Sequence, residues 1–225
     1  MRMRKKKNLE DRLAKCAPVL LSPLCDEHNY QKAAEKPDYI DVAELFGADK
    51  LIDLEIGCGK GGFACELAKR NPEKAILAVE KCENVLVSGC EQAMRENIKN
   101  LRFLSSGAEF LPRYLRPGSV GTIYLNFSCP YPKKAYENHR LTGLRFLEIY
   151  KGLLAPDGVI YQKTDNRAFF EYSIEQFSAA GYKICNVSLD LHNSGFEGNI
   201  ETEYEHRFAS QGLPIYRLEA YLKED

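Results

Sequence analysis

Runs of apolar residues, rich in β-branched side chains, recur along the chain at Leu51–Ile56, Ala75–Val79, Leu101–Leu104, Val120–Phe127 and Val159–Tyr161. Between most of them lie segments of helical length: Phe63–Arg70, Glu83–Ile98, Leu141–Leu154 and Phe169–Ala180. A chain that alternates in this way buries its strands on both faces, so it reads as βαβ units building a parallel sheet with helices on both sides. Asn71-Pro72 closes the first of these helices, Pro117-Gly118 precedes the fourth strand, and Pro156-Asp157-Gly158 makes a turn before the fifth. Two further apolar stretches, Tyr182–Leu189 and Ile215–Leu222, complete an expected seven-stranded sheet, with a polar insertion, His192 to Gly212, between them. In such a fold ligands lie at the carboxyl ends of the strands, so candidate site residues are sought directly after them.

Composition narrows the class. The 225 residues are 44% hydrophobic and 28% charged, which excludes a disordered chain, and no apolar run is long enough to span a membrane. We expect residues 1–36 to be a basic arm and lead-in and residues 37–225 to form a single domain. The arm's charge run, Arg2 to Lys7, reads as a mobile tail or as a contact for phosphates. The apolar stretch from Leu13 to Leu24 is interrupted by Lys15, Pro18, Ser22 and Pro23 and makes a poor signal-peptide core, so a cytoplasmic location is expected. Eight cysteines, at 16, 25, 58, 65, 82, 90, 129 and 185, form no C-x-x-C pair and have no histidine at finger spacing. We therefore expect reduced thiols and no metal site. A net charge of -1 leaves the partner open.

The first strand runs directly into Gly57-Cys58-Gly59-Lys60-Gly61-Gly62 and then a helix. Glycines at such a turn let the backbone approach a nucleotide, and the helix start offers free N–H groups. The string satisfies both G-x-G-x-G and G-x-G-x-x-G, so by itself it does not separate an S-adenosylmethionine site from a dinucleotide site. Glu55, two residues before the first glycine, suits a cationic ligand and would repel a pyrophosphate. Glu80, at the end of the next strand, stands where an acid hydrogen-bonds ribose hydroxyls.

The strings LEIGCGKG, AVEK, YLNFSCPYPKK, HRLT, KTDNR, SLDLHNS and TEYEHRF, in this order, resemble the bacterial tRNA (guanine-N(7)-)-methyltransferases over almost the whole chain. The resemblance implies a class I S-adenosylmethionine-dependent methyltransferase fold, Rossmann-like, with residues 37–225 as the methyltransferase domain. It also implies methyl transfer from S-adenosylmethionine to the N7 atom of a guanine in the tRNA variable loop, by a monomer or homodimer. Matching positions give Glu55, Gly57, Gly59, Glu80, Gly107, Ala108 and Cys129 to the cofactor. To the substrate they give Lys133, Asp165, Thr202, Glu203, Tyr204 and Glu205. Lys133 and Lys134 suit a phosphate, and Asp165 can accept from the guanine N1–H and amino groups.

The chain departs from the family pattern N-F-S-D-P-W-P-K-K-R-H. Cys129 stands at the catalytic Asp position, Tyr131 replaces Trp, and Ala135, Tyr136, Glu137 and Asn138 thin the basic run. Ser106-Gly107-Ala108 lacks the acid expected near the cofactor's adenine end; Glu109 follows two residues on. Guanine N7 carries an in-plane lone pair and no proton, so its attack on a sulfonium methyl needs no general base and positioning dominates. The product purine is cationic, and a carboxylate at position 129 would stabilise that charge. Its loss costs about a hundred- to a thousandfold in rate. An active or attenuated enzyme is therefore expected. The alternatives are a paralogue that binds tRNA or cofactor without catalysis, and a methyltransferase of another substrate.

Overall fold

The computed structural model describes residues 4–23 and 25–222; Arg2 of the basic run and Leu24 of the lead-in lie outside them. The strands are β1 (Leu20–Leu21), β2 (Ile52–Ile56), β3 (Ala75–Glu80), β4 (Leu101–Ser105), β5 (Val120–Asn126), β6 (Leu154–Thr164), β7 (Tyr182–Ser188) and β8 (Tyr216–Leu222). The helices are α1 (Leu9–Lys15), α2 (Tyr30–Ala34), α3 (Val42–Phe46), α4 (Gly62–Arg70), α5 (Glu83–Arg95), α6 (Leu111–Tyr114), α7 (Leu144–Leu153), α8 (Arg167–Ala179) and α9 (Glu203–Ala209). Among the described residues the strands form one sheet in the order β1-β4-β3-β2-β5-β6-β8-β7. All neighbours are parallel except β8, which runs antiparallel to β6 and β7. The order reverses between β2 and β5, and a crevice opens at such a switch point.

Seven of these strands are those expected from the apolar runs. The eighth, β1, comes from the lead-in: two residues pair with Phe103 and Leu104 of β4 at the sheet edge. Residues 9–21 are thus continuous with the sheet, and Leu9, Cys16, Val19 and Leu20 are buried with α4 and α5 on one face. The other face is covered by α6, α7 and α8, with Phe146, Leu147, Tyr150, Phe170 and Phe177 against Leu54, Ile123 and Ile160. Each face has its own apolar cluster, which is why the central strands read as continuous hydrophobic runs.

Two boundaries differ instructively from the sequence expectation. Pro156-Asp157-Gly158 does not precede a strand but bulges out of one: β5 advances from Val120 to Thr122 while β6 advances from Leu154 to Val159. Gly158 is needed there because a Cβ would stand 2.8 Å from the Ala155 carbonyl oxygen. β6 also continues past Tyr161 through Gln162, Lys163 and Thr164, all buried. Most of their polar groups are met inside the fold, the exception being Gln162 Oε1, which has no hydrogen-bond partner among the described residues. Gln162 donates to Ser173 at 2.8 Å, and Ser173 shares a 2.8 Å bond with Thr142. No helix among the described residues is long and apolar enough to cross a membrane.

Candidate active site

The glycine loop leaves β2 at Glu55-Ile56. The N–H groups of Gly57 and Cys58 both donate to the Val79 carbonyl oxygen, at 2.8 and 3.1 Å, which folds the loop back across the end of β3. Gly57, Gly59 and Gly61 have φ of 78°, 56° and 76°, the left-handed region that glycine enters without strain. At Gly61 space matters as well, because a Cβ would lie 2.9 Å from the Gly89 Cα and from the Phe103 ring. Among the described residues nothing lies within 4 Å of where a Gly59 Cβ would stand. Thus Gly61 lets α4 approach α5, whereas Gly59 borders open space.

Glu80 closes this loop from the next strand. Its carboxylate accepts from the Gly59 N–H at 3.3 Å and from the Cys82 N–H at 2.8 Å, so it is fixed at the tip of β3 and half-buried. Glu55 is held differently. It is 3% exposed, and one oxygen accepts from the Asn126 amide at 3.1 Å. The other oxygen is buried with no hydrogen-bond partner among the described residues. Burial pushes the Glu55 carboxyl up to about 7, against the pull of the Asn126 hydrogen bond and the Lys163 charge. A buried acid with one empty acceptor is what a cationic ligand would satisfy.

Gly107 has φ -79° and ψ 150°, an extended backbone open to any residue. A Cβ there would stand 2.6 Å from Oε2 of Glu109, the far end of a flexible side chain that folds back over this position and can swing away. Ala108 beside it is buried. The segment that lacks the family's acid therefore holds a carboxylate from two residues along.

The β5 exit forms the opposite wall. Phe127 and Tyr131, on either side of Cys129, have φ of 51° and 40°, which is strained for bulky side chains. The loop is braced by Phe127 N–H donating to the Lys163 carbonyl at 2.8 Å and by Arg140, which donates to the carbonyls of Pro130 and Tyr131 at 3.0 Å. Cys129 is exposed, and so are Lys133 and Lys134. Asp165 is half-buried at the bend after β6, with no hydrogen-bond partner among the described residues; Asn166 caps α8 by accepting from Phe169 N–H at 2.9 Å.

Thr202, Glu203, Tyr204 and Glu205 separate into distinct roles. Thr202 and Glu205 form a capping box at the start of α9. Glu205 is 0% exposed and receives Lys163 Nζ at 2.6 Å, Asn199 Nδ2 at 2.5 Å and a 3.1 Å contact with His192 Nε2. It thus faces the protein rather than a pocket, and pins the insertion to β6. Glu203 is exposed and pairs with Lys60 of the glycine loop at 2.7 Å. Tyr204 is 61% exposed. Asn126 and Lys163 lie in the YLNFSCPYPKK and KTDNR strings but are not among the site residues expected from the sequence. A cleft of about 240 Å³ lies behind these two residues, walled by Phe63, Tyr124, Tyr161 and Phe196, and none of the sequence-predicted site residues lines it.

S-adenosylmethionine fits these residues. The unpartnered oxygen of Glu55 can face its positive charge, the fixed Glu80 its ribose, and the glycine turn leaves room for it.

Residues 49–218 match the model of a family described as a putative methyltransferase. A solved structure titled as a SAM dependent methyltransferase from Aquifex aeolicus aligns with TM-score 0.53 at 17% identity, over 86% of this chain and 98% of that one, which shows the shared fold. The chain is 49% identical over 177 residues to the tRNA (guanine-N(7)-)-methyltransferase of Listeria monocytogenes serotype 4b (strain F2365), covering 79% of this chain and 83% of that protein. It is also 49% identical over 176 residues to the protein of the same name from Geobacillus sp. (strain WCH70), covering 78% of this chain and 80% of that protein. With a glycine turn and two strand-tip acids at the switch point, and likeness of this extent, the chain belongs to the tRNA (guanine-N(7)-)-methyltransferase family.

Proposed function

We propose that the protein transfers a methyl group from S-adenosylmethionine to N7 of a guanine in the tRNA variable loop. The observation that carries this reading is the buried, unpartnered oxygen of Glu55 beside the fixed carboxylate of Glu80. When bound, the cofactor supplies a methyl group made electrophilic by its sulfonium. Glu55 holds positive charge at the β2 tip, Glu80 holds a ribose, and Glu109 supplies the acid that position 107 lacks. Asp165, free of protein hydrogen bonds among the described residues, accepts from the Watson–Crick edge of the guanine. Lys133 and Lys134 hold a backbone phosphate as exposed point charges. No side chain has to remove a proton, because N7 attacks with its own lone pair. What the residues contribute is alignment. Cys129 lies at the β5 exit, where a carboxylate would offset the charge that grows on the purine. A cytoplasmic location and a monomeric or homodimeric state belong to the same proposal.

The test is transfer of a labelled methyl group to bulk unmodified tRNA. Wild type is expected to be slow, and Cys129→Asp to be faster by about a hundred- to a thousandfold. A silent wild type with an active aspartate variant would instead identify a protein that has lost catalysis. Transfer to some other acceptor, with tRNA inert in both, would overturn the reading.

A further inference from the structure

Glu55 and Tyr124 are register partners on β2 and β5, and Asn126 stands one pleat further along β5 on the same face. Asn126 is 9% exposed, and its Nδ2 donates to Glu55 Oε1 at 3.1 Å. On the other side its register partner is Lys163 of β6. That ammonium is engaged elsewhere: it donates to Glu205 at 2.6 Å, to Asn199 at 3.0 Å and to the Ile200 carbonyl at 2.8 Å. Among the described residues it makes no hydrogen bond to Glu55. The side chain that does bond Glu55 is thus a neutral amide. A cation in its place would cancel the carboxylate charge and repel a positive ligand, and a second acid would share the proton with it. An amide fixes one oxygen and leaves the charge intact. Oε2, buried and without a partner among the described residues, is then the acceptor on offer.

We infer that Asn126 is a positioning residue for the methyl donor: its amide holds Glu55 as an oriented anion whose second oxygen faces the donor's positive charge. This rests on the proposed use of S-adenosylmethionine and adds a residue that acts through Glu55. Groups from every neighbouring element bear on that carboxyl. Lys163 of β6 and the Ala64 N–H at the start of α4 favour the anion with Asn126, while burial and the Glu80 charge of β3 favour the proton. Cys58 of the glycine loop, Cys65 of α4 and Tyr124 of β5 feel its charge, and burial holds their protons on well above neutral pH. Removing the amide therefore moves Glu55 further toward its protonated form, in which it no longer attracts a cation.

The test uses the full chain, first without ligand and then with S-adenosylmethionine. In ligand-free Asn126→Leu, NMR of isotope-labelled glutamate should show the Glu55 carboxyl titrating above the wild-type midpoint of about 7. Calorimetric affinity for S-adenosylmethionine should fall roughly tenfold or more at pH about 7, and by less at pH about 8.5, where Glu55 ionises without the amide. Affinity for tRNA should stay within about twofold of wild type, because the amide acts on the cofactor side alone. In a Glu55→Gln background, Asn126→Leu should change cofactor affinity by less than about twofold, since the anion it serves is gone. Asn126→Ser, which also lacks the amide, carries the test if the leucine variant folds poorly. An unmoved Glu55 midpoint would overturn the role, and so would an equal loss of affinity at both pH values and in both backgrounds. A wild type that binds no S-adenosylmethionine would overturn this role together with the cofactor reading. A wild type that binds it, with Asn126→Leu binding equally well at every pH, would overturn this role alone.

Discussion

Glu55 is the residue whose chemistry is set most by its surroundings. Its carboxyl titrates at about 7 because burial penalises the anion. The folded value lies above the ordinary 4.5, so the folded chain favours the proton. This contribution to stability is complete below about 4.5 and is lost as pH rises through about 7. Glu55→Gln is therefore expected to raise the melting temperature of the ligand-free protein at pH about 8, while weakening the cofactor. A cation meeting Glu55 must displace the proton below pH 7. Cofactor affinity measured by calorimetry should rise between pH about 6 and about 8 in wild type and stay flat in the glutamine variant. Equal pH profiles for the two would remove Glu55 from the cation site. Gly61 makes a second prediction at this scale. Its φ of 76° and the 2.9 Å approach of Gly89 and Phe103 to a Cβ mean that Gly61→Ala combines backbone strain with overpacking. A loss of about 2–4 kcal/mol in urea unfolding is expected.

At the scale of elements, the insertion between β7 and β8 is attached through Lys163. Its side chain is 7% exposed and its ammonium meets Glu205, Asn199 and the Ile200 carbonyl within 3.0 Å. Burial lowers the Lys163 pKa, and the Glu205 charge opposes that. Lys163→Met leaves a fully buried carboxylate without its cation, a defect that typically costs about 3–5 kcal/mol. Adding Glu205→Leu should recover much of that loss, because an apolar pair is tolerated where half an ion pair is not. Equilibrium unfolding of the two variants decides this. A small effect of Lys163→Met, under about 1 kcal/mol, would mean that α9 is held by other contacts.

For the whole molecule, the lead-in is packed onto the sheet edge and α5. Lys6 N–H donates to Asn84 Oδ1 at 2.6 Å, Arg12 bridges to Glu91 at 2.6 Å, and β1 pairs with β4. Leu9, Val19 and Leu20 each bury a side chain worth about 1.5–3 kcal/mol, so removing residues 1–21 should take most of a typical domain's 5–15 kcal/mol. The truncated chain is expected to lose its cooperative thermal transition by circular dichroism; a sharp transition near the wild-type temperature would show the lead-in to be dispensable. By itself the sequence determined the strand-and-helix alternation, the glycine turn and the two acids at strand tips, because these follow from local periodicity and from residues adjacent in the chain. It also carried the family resemblance. The tertiary structure alone decided that β6 runs on through Gln162, Lys163 and Thr164, that Glu205 faces inward and that Glu109 covers Gly107. Burying a polar residue is costly unless a partner meets it, and the partners here, Ser173, Glu205 and Asn199, are brought close by folding and not by spacing along the chain.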